Sequence, residues 1–379
     1  MTIHILILSM ASITLFMLSG TGDAAVISVS PNQSIQAAVD CARAGDTIEV
    51  LGGYYRENVN ITSPLVLRGR GGPVVDAGGE GCAITLFAGG ITVEGFIATN
   101  SSSDQAGISV SNLSSANLIR DNIIVENWGD GLDLWASRDN QIVGNAISKN
   151  GGNGIGLWSS EANEIQGNAL TENGGSGIFG GCVNSSITGN NLSLNRCSGM
   201  AIVNSNDNRI AENLALRNGE SGFALILCSG NLIQGNNASV SALSGISLLF
   251  SWNNTIANNT MQANPVGLYL GNSSDQNEIA GNEIVSNKLG VNIGGSGRNV
   301  IHHNCFEANT YYSYDDGQNL WDDGAEGNYY QGFTCIDQDS DGVCDQSLAV
   351  PGGRSVDRHP LASSSSGFID HITLAWRKR

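Results

Sequence analysis

The chain has 379 residues, among them 50 Gly, 42 Asn and 6 Pro, and only 14% are charged, which excludes a coiled coil or a charge-driven disordered chain. Apolar residues make up 41%, enough to build a core. A net charge of −18 argues against binding nucleic acid and leaves cations, neutral glycans or basic partners.

In chain order, the first element is an apolar stretch from Ile3 to Leu18, followed by Gly20-Thr21-Gly22-Asp23-Ala24-Ala25. Small residues at Gly22 and Ala24 predict an export signal over residues 1–24, although no Lys or Arg precedes the apolar stretch. No later apolar run reaches the roughly 18–20 residues that span a bilayer. The mature chain is therefore expected to be secreted or held at the cell surface. Ser34–Ala42 predicts a short helix with Ile35, Ala38, Val39 and Ala42 on one face. Short apolar pairs follow: Ile48/Val50, Val59/Ile61, Leu65/Leu67, Ile84/Leu86 and Ile91/Val93.

From residue 117 a repeat of 22 or 23 residues takes over. Its anchor is an isoleucine at 119, 142, 165, 187, 210, 233, 256, 279 and 301. Asn stands two residues before this Ile in every unit except at Ser185, and three residues after it in every unit, from Asn122 to Asn304. Another Asn follows five residues later, from Asn127 to Asn309, with Ser241 as the exception. A Gly-apolar step closes each unit, as in Gly131-Leu132 and Gly154-Ile155. Three short alternating segments separated by Asn or Gly predict three strands per turn with tight corners. Asn and Gly at the corners are expected to take left-handed backbone, and identical Asn side chains to bond up and down a column. The unit is too short for a propeller blade and has no helical periodicity, which leaves a parallel β-helix over residues 25–309. The short helix would cover its first coil, residues 310–361 would form a loop-rich C-terminal cap, and residues 362–379 a tail.

The segment Ser34–Val39, with Gly45-Asp46-Thr47-Ile48 and Gly53–Asn58, resembles the opening of pectate-lyase-like β-helix proteins. The Asn-x-Ile-x-x-Asn units resemble the repeats of NosD-like and carbohydrate-binding and sugar hydrolase domains. Gly327–Tyr330, Asp337–Asp345 and Asp357–Leu361 are similar to the closing segment of archaeal NosD-like surface proteins. The resemblance covers about residues 30–361 and implies an all-β, right-handed parallel β-helix. It leaves function open, because the superfamily contains lyases, hydrolases, epimerases and proteins without known activity. The sequence shows no Cys/Met/His cluster, and His302-His303 reads as a surface-facing pair.

Glycoside cleavage needs two carboxylates at a defined separation, and β-helix lyases imply clustered Asp around Ca²⁺ with a basic residue. Alternation after the Gly step points Leu132 and Leu134 inward and Asp133 and Trp135 outward. In the next coil Asp133 is followed by Gly156 and Asp130 by Asn153, so neither column offers a second carboxylate. This predicts a non-catalytic face. Trp135 and Trp158 should stack on neighbouring coils with Trp128 one corner away, so Trp128, Trp135, Trp158, Asp130 and Asp133 are the expected glycan-binding residues. Further along, the Trp column becomes Val203, Ile226 and Leu249, an aliphatic stripe either capped by the C-terminal segment or open to a protein partner.

Cys335-Ile336-Asp337-Gln338-Asp339-Ser340-Asp341-Gly342-Val343-Cys344-Asp345 contains the first half of an EF-hand-like loop. It predicts structural Ca²⁺ held by Asp337, Asp339, Asp341, Val343 and Asp345, inside a Cys335–Cys344 disulfide. Asp315, Asp316, Asp322 and Asp323 suggest a second site. Cys41 and Cys82 are a candidate pair, while Cys182 and Cys228 lie too far apart and read as buried thiols. The expected function is a non-catalytic binder of a polysaccharide or glycoprotein glycan. The alternatives are a calcium-dependent polysaccharide lyase or epimerase acting around Asp130, Asp133 and Arg138, and a structural envelope protein.

Overall fold

The computed structural model describes residues 24–364, so all but the last residue of the expected signal segment and most of the tail lie outside the described residues. The chain winds into a right-handed parallel β-helix of about 13 turns. One face is a 13-stranded sheet, the second a 12-stranded sheet, and the third is divided into two six-stranded sheets. The division falls at residues 191–193, where Asn191 makes only isolated bridges to Ala169 and Leu214. Every repeat isoleucine from Ile119 to Ile301 is fully buried on the 13-stranded face, each in register with the next. Leu132, Leu134, Ile155 and Leu157 fill the core from the second face, and Ile124, Ile147, Leu170 and Ile284 from the third. The core is thus a stack of aliphatic layers, and each coil depends on its neighbours to stay dry.

Three ladders of asparagine run up the corners. In the ladder through Asn213, its backbone N–H and Nδ2 both donate to Asn236 Oδ1, and Nδ2 also reaches the Ile187 carbonyl. The same pattern repeats from coil to coil, which satisfies backbone groups that the sharp corners leave without sheet partners. Gly and Asn do take left-handed backbone at many corners, as at Gly144, Gly167, Gly235, Asn253 and Asn258, but at the position immediately before the ladder asparagine, and other residue types share that position. Asp121, Glu126, Asp139, Glu212 and Arg217 all have φ between 54° and 58°. The ladder residue itself needs a side chain that reaches its counterpart in the next coil, so the strain is borne one position earlier, by residues of many types.

The N-terminal helix spans Ile35–Cys41, with Ile35 and Val39 buried on the first coil. Ser34 caps it by accepting from the Ala37 N–H, and the Glu57 carboxylate accepts from the Ile35 and Gln36 amides. At the far end, parallel pairing continues beyond residue 309. Tyr311–Asp315 pairs with Leu289–Gly294, and Tyr329–Tyr330 with Cys305–Glu307. Asn319 and Asn328 extend two of the ladders. The repeat pattern misses this turn because its steps are 20 and 24 residues. The end is closed by Trp321, by Tyr330 stacked on Phe306 at 5.0 Å, and by Asp357 beneath them.

Cys335 and Cys344 form a disulfide. Cys41 and Cys82 do not pair: one thiol is exposed and the other buried. Cys182 and Cys228 are free and buried, and burial pushes their thiols up to about 12 and about 11. Among the described residues no helix is long and apolar enough to cross a membrane.

Candidate functional site

The strand Leu132–Trp135 lies on the 12-stranded face between Ile108–Val110 and Ile155–Glu161. Register places Asp133 beside Ser109 and Gly156, and Trp135 beside Trp158. The two indoles stack at 5.2 Å with planes 19° apart, and Phe179 meets Trp158 edge-on at 6.0 Å. On its other side the strand Ile155–Glu161 is bulged between Leu157 and Ser160 against Ile178–Val183, so Trp158 keeps its register partner Trp135 but has none on the next coil. Trp135 is 48% exposed, so the stack presents ring surface to solvent.

The carboxylates lie beside this shelf. Asp133 is 8% exposed; its Oδ2 accepts from Trp135 Nε1 at 2.9 Å, while its Oδ1 is buried without a hydrogen bond. Burial pushes its carboxyl up to about 6; the Ser109 hydroxyl and the Trp135 indole oppose the shift and the nearby Asp130 charge adds to it. Asp130 accepts from the backbone and side-chain N–H groups of Asn153 through Oδ1, and burial raises it as well. Its other oxygen reaches over Gly156. A Cβ at 156 would stand 2.4 Å from Asp130 Oδ2 and 2.8 Å from Trp158 Nε1, so only glycine admits the carboxylate there. The two acids thus stand together on one coil, with Asp130 Oδ2 reaching over Gly156, the register neighbour of Asp133 in the next coil. Counting columns by register alone missed this, because Asp130 leans out of its own column into the place next to Asp133.

Trp135 is the wall shared by two grooves. One, of about 870 Å³, is lined by Trp158, Phe179, Glu161, Val203 and Asn204. The other, of about 480 Å³, is lined by Asn58, Asn60, Cys82, Gln105, Ser109 and Asn112. Together they make a track along the rod with aromatics on one side and amides on the other. The amides of Asn58, Asn60 and Gln105 escaped the sequence reading because the early coils step irregularly. Trp128 is exposed but lines neither groove. Arg138 pairs with Asp139, not with Asp130 or Asp133. Val203, Ile226 and Leu249 do form a half-buried column. The C-terminal segment closes the end of the rod instead, where Asp315 bonds to Pro351.

In the acidic loop, Asp337, Asp339 and Asp341 bring one oxygen each within 4.8 Å of one another. Asp337 Oδ1 is buried without a partner. Asp345 does not join that group; its Oδ2 accepts from the Gln338 amide. Asp315, Asp316, Asp322 and Asp323 do not gather. Asp315 is taken by Asn319 and Trp321, Asp316 by the Gly295 amide, and Asp322 by Arg358. Asp323 instead faces the histidines, and His302 is only 9% exposed, so the pair is not the surface feature expected from sequence.

A model of the family described as "Periplasmic copper-binding protein (NosD)" matches residues 54–198 and 180–335. The chain belongs to this family. NosD-family copper calls for nitrogen or sulfur donors, and among the described residues His302, His303 and Asp323 supply a nitrogen–oxygen set that suits Cu²⁺. No curated protein matches by sequence. The NosD-family fold is similar to the complex of XylC with xylose, at 12% identity and a TM-score of 0.61, over 86% of this chain and 89% of that one. It is also similar to the A-module of the Azotobacter vinelandii mannuronan C-5 epimerase AlgE4, at 19% identity and a TM-score of 0.52, over 75% and 92%. The catalytic domain of a GH87 α-1,3-glucanase in complex with tetrasaccharides matches at 12% identity and a TM-score of 0.53, over 79% and 66%.

Proposed function

We propose that this NosD-family protein is exported and binds a polysaccharide or glycoprotein glycan at the cell surface through the Trp135–Trp158 face, without cleaving it. The observation that carries this reading is the indole stack standing over paired acids in a groove that runs across several coils. Ring faces take the apolar faces of sugars, and Asp130, Asn58, Asn60 and Gln105 offer hydroxyl partners. Binding of glycans by structurally similar proteins is consistent with it. The column of Val203, Ile226 and Leu249 continues the apolar floor and is the surface for a protein partner.

The test mixes the protein with neutral and acidic polysaccharides and follows tryptophan fluorescence together with new reducing or unsaturated ends. A fluorescence change without new ends is expected, and Trp158→Ala should weaken binding about tenfold. Unchanged affinity in that variant would remove the site. New ends would favour the second reading, a carbohydrate-active enzyme. What supports that reading is Asp133, whose carboxyl burial pushes up to about 6, so that it holds a proton at mildly acidic pH as a general acid must. Activity lost in a folded Asp133→Asn variant would establish it.

The acidic loop is proposed to hold structural Ca²⁺ through Asp337, Asp339 and Asp341 with the Val343 carbonyl, while Asp345 supports the loop by accepting from the Gln338 amide. Three carboxylates this close repel one another unless a cation lies between them. Calcium at about 100 times its Kd should stabilise the cap by roughly 2.7 kcal/mol. Limited proteolysis between residues 331 and 347 measures this: protection should vanish with chelator and in Asp339→Asn. Equal cleavage with and without chelator would rule the site out.

A further inference from the structure

We propose that the corner formed by His302, His303 and Asp323 binds one divalent first-row transition cation through two imidazole nitrogens and a carboxylate oxygen. The rings belong to consecutive residues at the end of the strand Val300–His302. His303 takes the left-handed conformation, φ 55°, that precedes ladder residue Asn304. That turn swings its ring to face His302. The centroids lie 4.9 Å apart with planes crossing at 78°, and the two Nδ1 atoms are 2.7 Å apart.

The outer nitrogens both meet acids. His303 Nε2 lies 2.6 Å from Glu326 Oε2, and His302 Nε2 lies 3.6 Å from Glu278 Oε1. A neutral imidazole carries one N–H. The Glu326 carboxylate holds that of His303 at Nε2, which leaves its Nδ1 lone pair facing His302 Nδ1. A metal ion replaces the hydrogen bond between the two Nδ1 atoms and leaves the His302 proton on Nε2, on the side of Glu278. Asp323 completes the set. Its Oδ1 is occupied by the Ala325 and Glu326 amides, while Oδ2 stands 4.0 Å from His302 Nδ1.

The three donor atoms lie within 4.8 Å of one another. Bonds of about 2.0–2.1 Å to a shared ion need only small side-chain shifts from there. His302 is buried and His303 half-buried, so the rings are held by packing. A groove of about 480 Å³, lined by Glu278, Arg298, His302, Asp322 and Asp323, leaves a side open for water or a further ligand. The local charge favours a cation, since the two nearby arginines are already paired, Arg298 with Asp275 and Arg358 with Asp322. Two imidazoles and a carboxylate select Cu²⁺ or Zn²⁺ over Ca²⁺ or Mg²⁺. The site is separate from the glycan face and gives the metal in the family's description named ligands in this chain.

The test titrates tag-free mature protein with Cu²⁺ and with Zn²⁺ by calorimetry and records the electron paramagnetic resonance spectrum of the Cu²⁺ form. One equivalent should bind, with splitting from two nitrogens. His303→Asn, which tolerates the left-handed backbone, and His302→Gln should each abolish saturable binding. Glu326→Gln should weaken it about tenfold without changing the metal-free melting temperature. Asp339→Asn, in the acidic loop, should bind as the parent does. Absence of binding, an oxygen-only spectrum, or undiminished binding in both His302→Gln and Glu326→Gln would overturn the proposal, and these two variants carry the test if His303→Asn does not fold.

Discussion

Asn213→Ala is expected to destabilise the rod by about 3–5 kcal/mol, although it removes no apolar contact. Asn213 Oδ1 accepts from both the backbone N–H and the Nδ2 of Asn190, and its own Nδ2 donates to the Ile187 carbonyl and to Asn236 Oδ1. All of these groups are buried. Alanine leaves the Asn190 N–H without its acceptor and strips a donor from Ile187. Each orphaned buried group costs about 1–3 kcal/mol. Serine should cost less, and the chain contains the control. At Ser185 the hydroxyl still accepts from the Asn163 N–H at 3.2 Å, but Asn163 Nδ2 keeps only the Ser137 carbonyl. At Ser241 the defect is sharper: its Oγ and Asn218 Nδ2 are both buried without partners. The reciprocal change, Ser241→Asn, should therefore stabilise the rod by about 1 kcal/mol. Denaturant melts of the three variants measure this series. An Asn213→Ala variant as stable as the parent would mean that water, not the ladder, satisfies the corners.

The same ladders explain why the fold was legible in the sequence. A side chain that must repeat in every coil writes itself as a period, and Asn122 to Asn304 recur without exception. The capping helix was legible because Ile35 and Val39 follow helical spacing. The left-handed corner residues were legible only where they are Gly or Asn, as at Gly144 and Asn258; Lys149, Glu172 and Arg217 have no shared chemistry, and only the Asn after each of them marks the place. The last turn was hidden by its irregular steps at Asn319 and Asn328.

The site was legible in part. The Trp135–Trp158 stack follows from register alone, since identical residues one repeat apart must meet. The Asp130–Asp133 pair does not, because it depends on Asp130 leaning over Gly156, and lean is a property of side chains and neighbouring space. The histidine corner was hidden for a similar reason. Two adjacent residues on a strand point to opposite faces, and only the left-handed turn at His303 brings their rings together.

Between pH 4 and 6 the protein is expected to lose stability as pH rises, and Asp357 is one of two main causes. Its carboxylate is fully buried in the C-terminal closure. Oδ2 accepts from the Asn328 backbone and side chain and from the Tyr330 hydroxyl, and Oδ1 from the His359 N–H. Burial nevertheless dominates these bonds and raises the carboxyl from 3.8 to about 6. In that window the folded chain holds a proton that the unfolded chain has released. Stability contributed by the protonated form is thus present below pH 4 and lost as pH passes through 6, by about 3 kcal/mol. Asp133 has the same sign and window, so two variants are needed to separate them. Asp133→Asn should keep about half of the pH slope, and the double variant with Asp357→Asn should leave only the smaller part due to Asp130, whose carboxyl burial also raises. Asp357→Ala should cost about 4 kcal/mol at pH 7, because the Asn328 and His359 amides and the Tyr330 hydroxyl lose their shared acceptor. Thermal melts from pH 4 to 7.5 give the slopes directly. A melting temperature that rises with pH across this window would mean that the four donors outweigh burial, and that Asp357 is a stabilising anion at neutral pH.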